Sequence, residues 1–281
     1  MPETHWNRAT LETRIANVQT QQRYFGGSPD PLEIAAYAAG LGDNLHMSNS
    51  ALVLGMTPEL RVLALARFAR LISVDSNPQA VSLYRDWVQP TDRARETIVE
   101  ANWFSLSTVV AQPVAAVLAD GVFGNLPDRA AHERLLRAIA AVLAPSGRFV
   151  TRMAMIPDVF DPATHHADRL LARFRAREVD AAEFGFGMRL VGHYETCYDR
   201  HTGLLNNAKL FAQCAARHAA GELTDAEHAV IRRYYFGGFN CILSQCAWEQ
   251  VLAAGGWEFQ MRRCRGKAWY EYYPVYSCWR R

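Results

Sequence analysis

ALVLGMTPELRVLALARFARLISVD, residues 51–75, carries the alternation that decides the fold. Its opening ALVL (51–54) is a continuous apolar run, which suits a strand buried on both faces. Gly55 ends that run. Met56, Thr57 and Pro58 follow it. RVLALARFA (61–69) suits a helix, and LISVD (71–75) is a second buried strand ending in an acid. Strand, glycine turn, helix and strand make one crossover unit of a parallel sheet. Parallel neighbours need such a connection, since a tight turn cannot join them.

The same alternation extends downstream. NPQAVSLYRDWV (77–88) predicts a helix with Pro78 at its first turn, where a missing N–H costs little. ETIVEA (96–101) predicts a third strand and VAAVLADG (114–121) a fourth. Asp128 is placed to cap the helix RAAHERLLRAIAAVLA, whose Leu135, Leu136, Ile139, Val142 and Leu143 form one apolar stripe. APSG (144–147) reads as a turn and RFVTRMAM (148–155) as a fifth strand. Right-handed crossovers turn this order into a doubly wound α/β sheet. The alternation stops near Ile156, and residues 157–236 read as helical and irregular, with TDAE (224–227) a capping-box start. It resumes with FNCILSQCAWEQVLAAGG (239–256) as a helix. WEFQMRRCRG (257–266) and WYEYYPVYSCW (269–279) then read as an antiparallel strand pair. Pro274 cannot donate to a ladder, so a bulge or a sheet edge is expected there. Strand alternation would put Tyr270, Tyr272 and Tyr276 on one side and Trp269, Tyr273 and Trp279 on the other. Upstream, Leu11, Ile15 and Val18 recur at helical spacing, and LEIAAYAAGL (32–41) is a second apolar helix closing near Gly40. The organisation expected is an N-terminal helical lid (1–45), a core (46–156), a helical cap insertion (157–236) and a core-completing segment (237–281).

Composition narrows the function. The chain has 281 residues, half of them hydrophobic, and a formal net charge of +2. That balance gives no argument for nucleic acid or an anionic membrane surface as partner. No apolar run reaches the length of a membrane span, and the N-terminal segment lacks the apolar centre of a signal peptide. A cytoplasmic chain, monomeric or homodimeric, is the expectation. The six cysteines all lie in the last third and show no C-x-x-C or zinc-type spacing. They read as reduced thiols, and no metal is expected.

In an open parallel sheet, ligands bind beyond the carboxyl ends of the strands at the switch point. The first strand ends in Gly55 and the second in Asp75, an acid at the distance that suits the hydroxyls of a ribose. The third ends in Asn102 and Trp103, an amide beside a flat ring. The fourth ends in Asp120 and Gly121. Each has an ordinary alternative: Gly55 as a tight turn, Asp75 as a cap before Asn77 and Pro78, Trp103 as core, Asp120-Gly121 as a turn. Their order along the chain is what favours a ligand site.

This ordered set resembles the class I S-adenosylmethionine (SAM) methyltransferase superfamily, over roughly residues 48–155 and again over 237–281. The resemblance implies a seven-stranded sheet closed by an antiparallel hairpin, and SAM as cofactor or co-substrate. It implies that Gly55, with Thr57 and Pro58, meets the methionine end. It implies that Asp75, with Ser76, binds the ribose, that Asn102 and Trp103 flank the adenine, and that Asp120 and Gly121 face the methionine moiety and the acceptor. The first motif departs from the common G-x-G pattern, since Met56, Thr57 and Pro58 follow Gly55. A subset of bacterial members is similar to this variant, with Thr-Pro-Glu-Leu after the glycine. A nicotinamide enzyme fits less well, because pyrophosphate needs close backbone approach at a second glycine, and SAM has no such group.

On the acceptor side, Tyr194, Tyr198 and Asn207 are the candidates for chemistry, with His201 and Asn206 beside them. Trp6 and Tyr24 are candidates in the lid. Aromatic faces have a use here, since each stabilises a sulfonium by roughly 0.5–2 kcal/mol. Methyl transfer is an in-line displacement in which a protein supplies alignment and desolvation, so no obligatory base is expected. The leading expectation is a small-molecule methyltransferase. A SAM cyclase of the same fold, which forms azetidine-2-carboxylate and releases methylthioadenosine, is the alternative. A non-catalytic binding protein is the third.

Overall fold

The computed structural model describes residues 28–42, 49–87, 90–234 and 238–281. Its first part runs α1 (Pro31–Leu41), β1 (Ser50–Leu54), α2 (Pro58–Arg67), β2 (Arg70–Asp75), α3 (Pro78–Tyr84), β3 (Glu96–Glu100), β4 (Val114–Asp120), α4 (Arg129–Val142) and β5 (Leu143–Arg152). Local chemistry sets these starts. Asp30 and Glu33 form a reciprocal capping box on α1 with Pro31 in its first turn. The Asn77 side chain accepts from the N–H groups of Gln79 and Ala80 at the start of α3, and Asp128 accepts from Ala131 at the start of α4.

The second part begins with α5 (Ala167–Arg175), α6 (Ala181–Gly187) and a π-turn over Met188–Gly192. There follow β6 (Tyr198–Asp199), β7 (Leu204–Asn206), α7 (Asn207–Ala219), α8 (Asp225–Arg232) and β8 (Phe239–Cys241). The chain closes with α9 (Gln245–Ala254), β9 (Trp257–Arg262) and β10 (Val275–Arg280). Thr224 and Glu227 make the expected capping box on α8.

The main sheet has seven strands in the order β3-β2-β1-β4-β5-β10-β9. The pairs from β3 across to β5 are parallel, and β10 runs antiparallel to both β5 and β9. The chain winds outward from β1 in one direction and from β4 in the other, so the switch point lies between these two strands. Both faces of β1 are covered. Leu52 and Leu54 share a core with Val117, Phe149, Trp248 and Tyr276, while Ala51 and Val53 pack with Tyr37, Leu60 and Ala64. This two-sided burial explains why the strand reads as a continuous apolar run.

The structure changes several expectations. Phe239, Asn240 and Cys241 are a strand and not the start of a helix, because they pair with β7, and α9 begins only after its cap Ser244. APSG lies inside β5 as an irregularity: Leu143 faces Val114, and Arg148 faces Ala116. Pro274 precedes β10 and lies neither on an edge nor in a bulge, and its carbonyl accepts from the Met153 N–H at 3.1 Å. Residues 268–272 form a 3₁₀ turn, so the side-to-side alternation fails there, and Trp269 and Tyr270 are both buried. Helix α1 is part of the sheet's outer layer. The Ser277 hydroxyl bonds the Gly40 carbonyl, and Tyr37 bonds across β4 and β5. Its first turn and Tyr37 meet the ends of β4 and β5. Leu11, Ile15, Val18, Trp6 and Tyr24 lie outside the described residues. The six cysteines are free thiols. Among the described residues no helix is long and apolar enough to cross a membrane.

Candidate active site

At the switch point, Gly55 follows β1 with φ +89° and donates its N–H to the Val74 carbonyl at 2.8 Å. A Cβ built there would lie 4.0 Å from Asp75 Oδ2. The glycine therefore does two things: it takes a backbone conformation that L-residues resist, and it keeps one side of the Asp75 carboxylate uncovered. Gly55→Ala is expected to lower the unfolding free energy by about 1–2 kcal/mol, read by denaturant titration, and to weaken any ligand held against Asp75. An unchanged midpoint would show that the turn tolerates a side chain. Met56 is buried against Ala80, Val81 and Tyr84 and ties the loop to α3. Thr57 stands at the cap of α2 but makes no capping bond with its side chain, and Pro58 follows. The loop thus brings the electropositive start of a helix to the end of β1.

Asp75 Oδ1 accepts the Asn77 N–H at 2.9 Å. Burial pushes this carboxyl up to about 6, against the opposing effect of the Asn77 and Ser76 backbone N–H groups. Asn77 caps α3, so the ordinary role foreseen for Asp75 is taken by its neighbour. Ser76 is exposed. The Trp103 indole N–H donates to the Val74 carbonyl at 2.8 Å, fixing the half-buried ring beside the peptide that carries Asp75. Asn102 is exposed, and its side chain accepts the Phe104 N–H at 2.9 Å. Its carbonyl oxygen therefore serves the local turn.

Across the crevice, Asp120 is engaged by Arg152, with contacts of 2.7 and 3.2 Å. Arg152 also reaches Glu33 at 2.8 Å, so one guanidinium ties the ends of β4 and β5 to the first turn of α1. The Tyr37 hydroxyl donates to the Ala119 carbonyl at 2.6 Å and accepts the Arg152 N–H at 2.8 Å. Desolvation raises the Glu33 pKa although Arg152 opposes it, and the two acids hold Arg152 firmly charged. Asp30 adds a second tie, to Lys267 at 2.7 Å and to the Tyr270 hydroxyl. Gly121 follows, with its N–H on the Arg152 carbonyl at 3.1 Å. Sequence reasoning missed Glu33, Tyr37 and Arg152. The available signal was a lone charge inside an otherwise apolar helix and an arginine at the end of a largely apolar strand segment, both of which demand a partner when buried.

The cap candidates separate. The Tyr198 hydroxyl donates to the Ile242 carbonyl at 2.9 Å, and burial raises its pKa. Tyr194 is stacked on Phe160 and Tyr198, with Arg200 over its ring. Asn206 caps α7 through the Lys209 N–H, and His201 is exposed. Asn207 is fully buried and donates to Asn240 Oδ1, and Asn240 in turn donates to the Gly124 carbonyl at 2.8 Å. Gly124 belongs to the loop leaving β4. Of the three residues foreseen for chemistry, Asn207 is thus the one linked to that loop, while Tyr194 and Tyr198 pack within the cap core.

No family model and no curated protein matches the sequence. Solved structures do match the fold. The CcbJ methyltransferase from Streptomyces caelestis superposes with a TM-score of 0.54 at 14% identity, covering 98% of this chain and 99% of that one. The glycopeptide N-methyltransferase MtfA complexed with SAM gives 0.53 at 12% identity, covering 91% and 96%. A provisionally named Zn-dependent alcohol dehydrogenase from Rhodobacter sphaeroides gives 0.56 at 14% identity, covering 100% and 99%. The mixed seven-stranded sheet with its flanking helices is the class I methyltransferase form of the Rossmann-like fold. Among the described residues no group of three His, Cys, Asp or Glu side chains could hold a metal ion.

Proposed function

We propose that this protein is a SAM-dependent methyltransferase acting on a small molecule. The observation that carries the reading is the Gly55–Asp75 pair at the switch point of the β3-β2-β1-β4 region, with Asp75 Oδ2 on the side of the glycine. The residues fit SAM better than a dinucleotide. A carboxylate stands where ribose hydroxyls can donate to it, a fixed indole lies beside it, and the first loop lacks the second glycine that a pyrophosphate requires. When bound, SAM supplies a methyl group activated by a sulfonium leaving group. The chain's part is to hold the nucleoside with Asp75 and Trp103 and to seat the methionine end at Gly55 and Thr57. The cap, over residues 157–234, would cover the reacting centre, excluding water and aligning the acceptor. Balanced charge favours a small-molecule acceptor over nucleic acid.

The test follows the nucleoside product by mass spectrometry after incubation with SAM alone and with SAM plus a cell extract. S-adenosylhomocysteine formed only with extract is the expected result. Methylthioadenosine formed without an acceptor would replace methyl transfer by cyclisation. No product and no calorimetric SAM binding would leave a non-catalytic scaffold.

A further inference from the structure

The cap holds a buried polar cluster that the fold itself does not use up. Arg189 lies on the π-turn after α6 and is 4% exposed; such turns recur at functional sites. Its Nη2 donates to Asn240 Oδ1 at 2.8 Å, and the Tyr273 hydroxyl is a further hydrogen-bond partner. Asn207 Nδ2 donates to the same Asn240 oxygen, and Asn240 Nδ2 donates to the Gly124 carbonyl. That carbonyl can only accept, so it fixes every amide orientation along the chain of bonds. Asn207 Oδ1 is therefore a pure acceptor. It has no hydrogen-bond partner among the described residues, although the residue is fully buried.

The Tyr234 hydroxyl is in the same condition. It is 2% exposed, has no hydrogen-bond partner among the described residues, and neighbours Tyr273. Gly185 lets this ring approach: a Cβ there would fall 2.1 Å from it. Buried polar atoms left open cost free energy unless a ligand or water completes them. A buried guanidinium likewise gains from an entering anion.

We propose that Asn207, Arg189 and Tyr234 form a subsite for an α-amino-acid group: its N–H meets Asn207 Oδ1, and its carboxylate meets the Arg189 guanidinium and the Tyr234 hydroxyl. The inference rests on the SAM reading above, since the cluster adjoins the loop that leaves β4. The same chemistry has two sources, the methionyl tail of SAM itself or an amino-acid acceptor.

The test titrates wild type, Asn207→Leu and Tyr234→Phe with 5′-methylthioadenosine, which has no amino-acid tail. S-adenosylhomocysteine is titrated next, and then each proteinogenic amino acid in its presence. Tyr234→Phe removes a hydroxyl that makes no bond to the described residues, so that variant keeps the test valid if Asn207→Leu does not fold. Methylthioadenosine is expected to bind all three proteins alike. The variants should lose about tenfold or more in affinity for S-adenosylhomocysteine if the subsite holds the SAM tail. They should lose that factor for the free amino acid alone if it holds the acceptor. Unchanged titrations in both variants, or unchanged S-adenosylhomocysteine binding with no amino acid binding wild type, overturn the proposal. Failure of methylthioadenosine to bind wild type overturns the SAM reading itself, and this subsite with it.

Discussion

Asp75→Asn is expected to weaken SAM binding by roughly 1.5–3 kcal/mol while stabilising the ligand-free protein at neutral pH by about 1–3 kcal/mol. The two effects share one cause. Burial holds the Asp75 carboxyl at about 6, against 3.8 for an ordinary aspartate. A folded-state pKa above the unfolded value means the folded protein binds the extra proton between these limits. Stability therefore falls as pH rises from about 4 to about 6, and the whole cost is present at neutral pH. Asparagine keeps an oxygen for the Asn77 N–H and removes the charge, so the cost disappears. Ribose hydroxyls, in contrast, donate better to a carboxylate than to an amide. The same linkage predicts that SAM affinity falls about tenfold per pH unit below pH ~6 in wild type and stays flat in Asp75→Asn. Calorimetric titration above and below that pH, with denaturant unfolding of the apoprotein, measures both. A folded variant with undiminished SAM affinity would remove Asp75 from the ribose assignment.

Arg152→Met is expected to cost about 3–5 kcal/mol of stability, because it leaves Asp120 and Glu33 buried without their shared counter-charge. The penalty lies in the stranded acids and not in lost volume. Adding Asp120→Asn and Glu33→Gln to the variant is therefore expected to recover most of it, a non-additive outcome that urea unfolding of the single, double and triple variants would show. A loss below about 1 kcal/mol would mean that water reaches the cluster and that the pairing is worth no more than a surface bridge. The cluster also places the first turn of α1 against the ends of β4 and β5. Loss of order there should reach the methionine side of the crevice before it reaches Asp75.

Much of the fold was legible in advance because its signals are local. The apolar runs at 51–54 and 71–75, the Pro at the start of α3, and the caps Asp128 and Thr224 each report on a few adjacent residues. Errors arose where a distant partner outweighed local preference. Phe239–Cys241 sits before a helical stretch, yet pairing with β7 holds it extended. Residues 268–272 alternate like a strand, yet they curl into a 3₁₀ turn that buries Trp269 and Tyr270 in the cap core. The candidate site divides in the same way. The places of Gly55 and Asp75 at strand ends could be read because each closes its own apolar run. That the Asn102 side chain caps the next turn shows only in the geometry.

The sequence alone determined the crossover units, the parallel half of the sheet and the glycine–acid spacing at its switch point, since each follows from hydrophobic period and turn chemistry within one segment. Only the tertiary structure decided which buried charges and amides meet. Arg152 finds Glu33 at a separation of 119 residues, and Asn240 joins Arg189 and Asn207 from 51 and 33 residues away. Periodicity tells which face of an element is buried. It says nothing of which face of another element will cover it, and that pairing is where the charge network and the open amide of the cap arise.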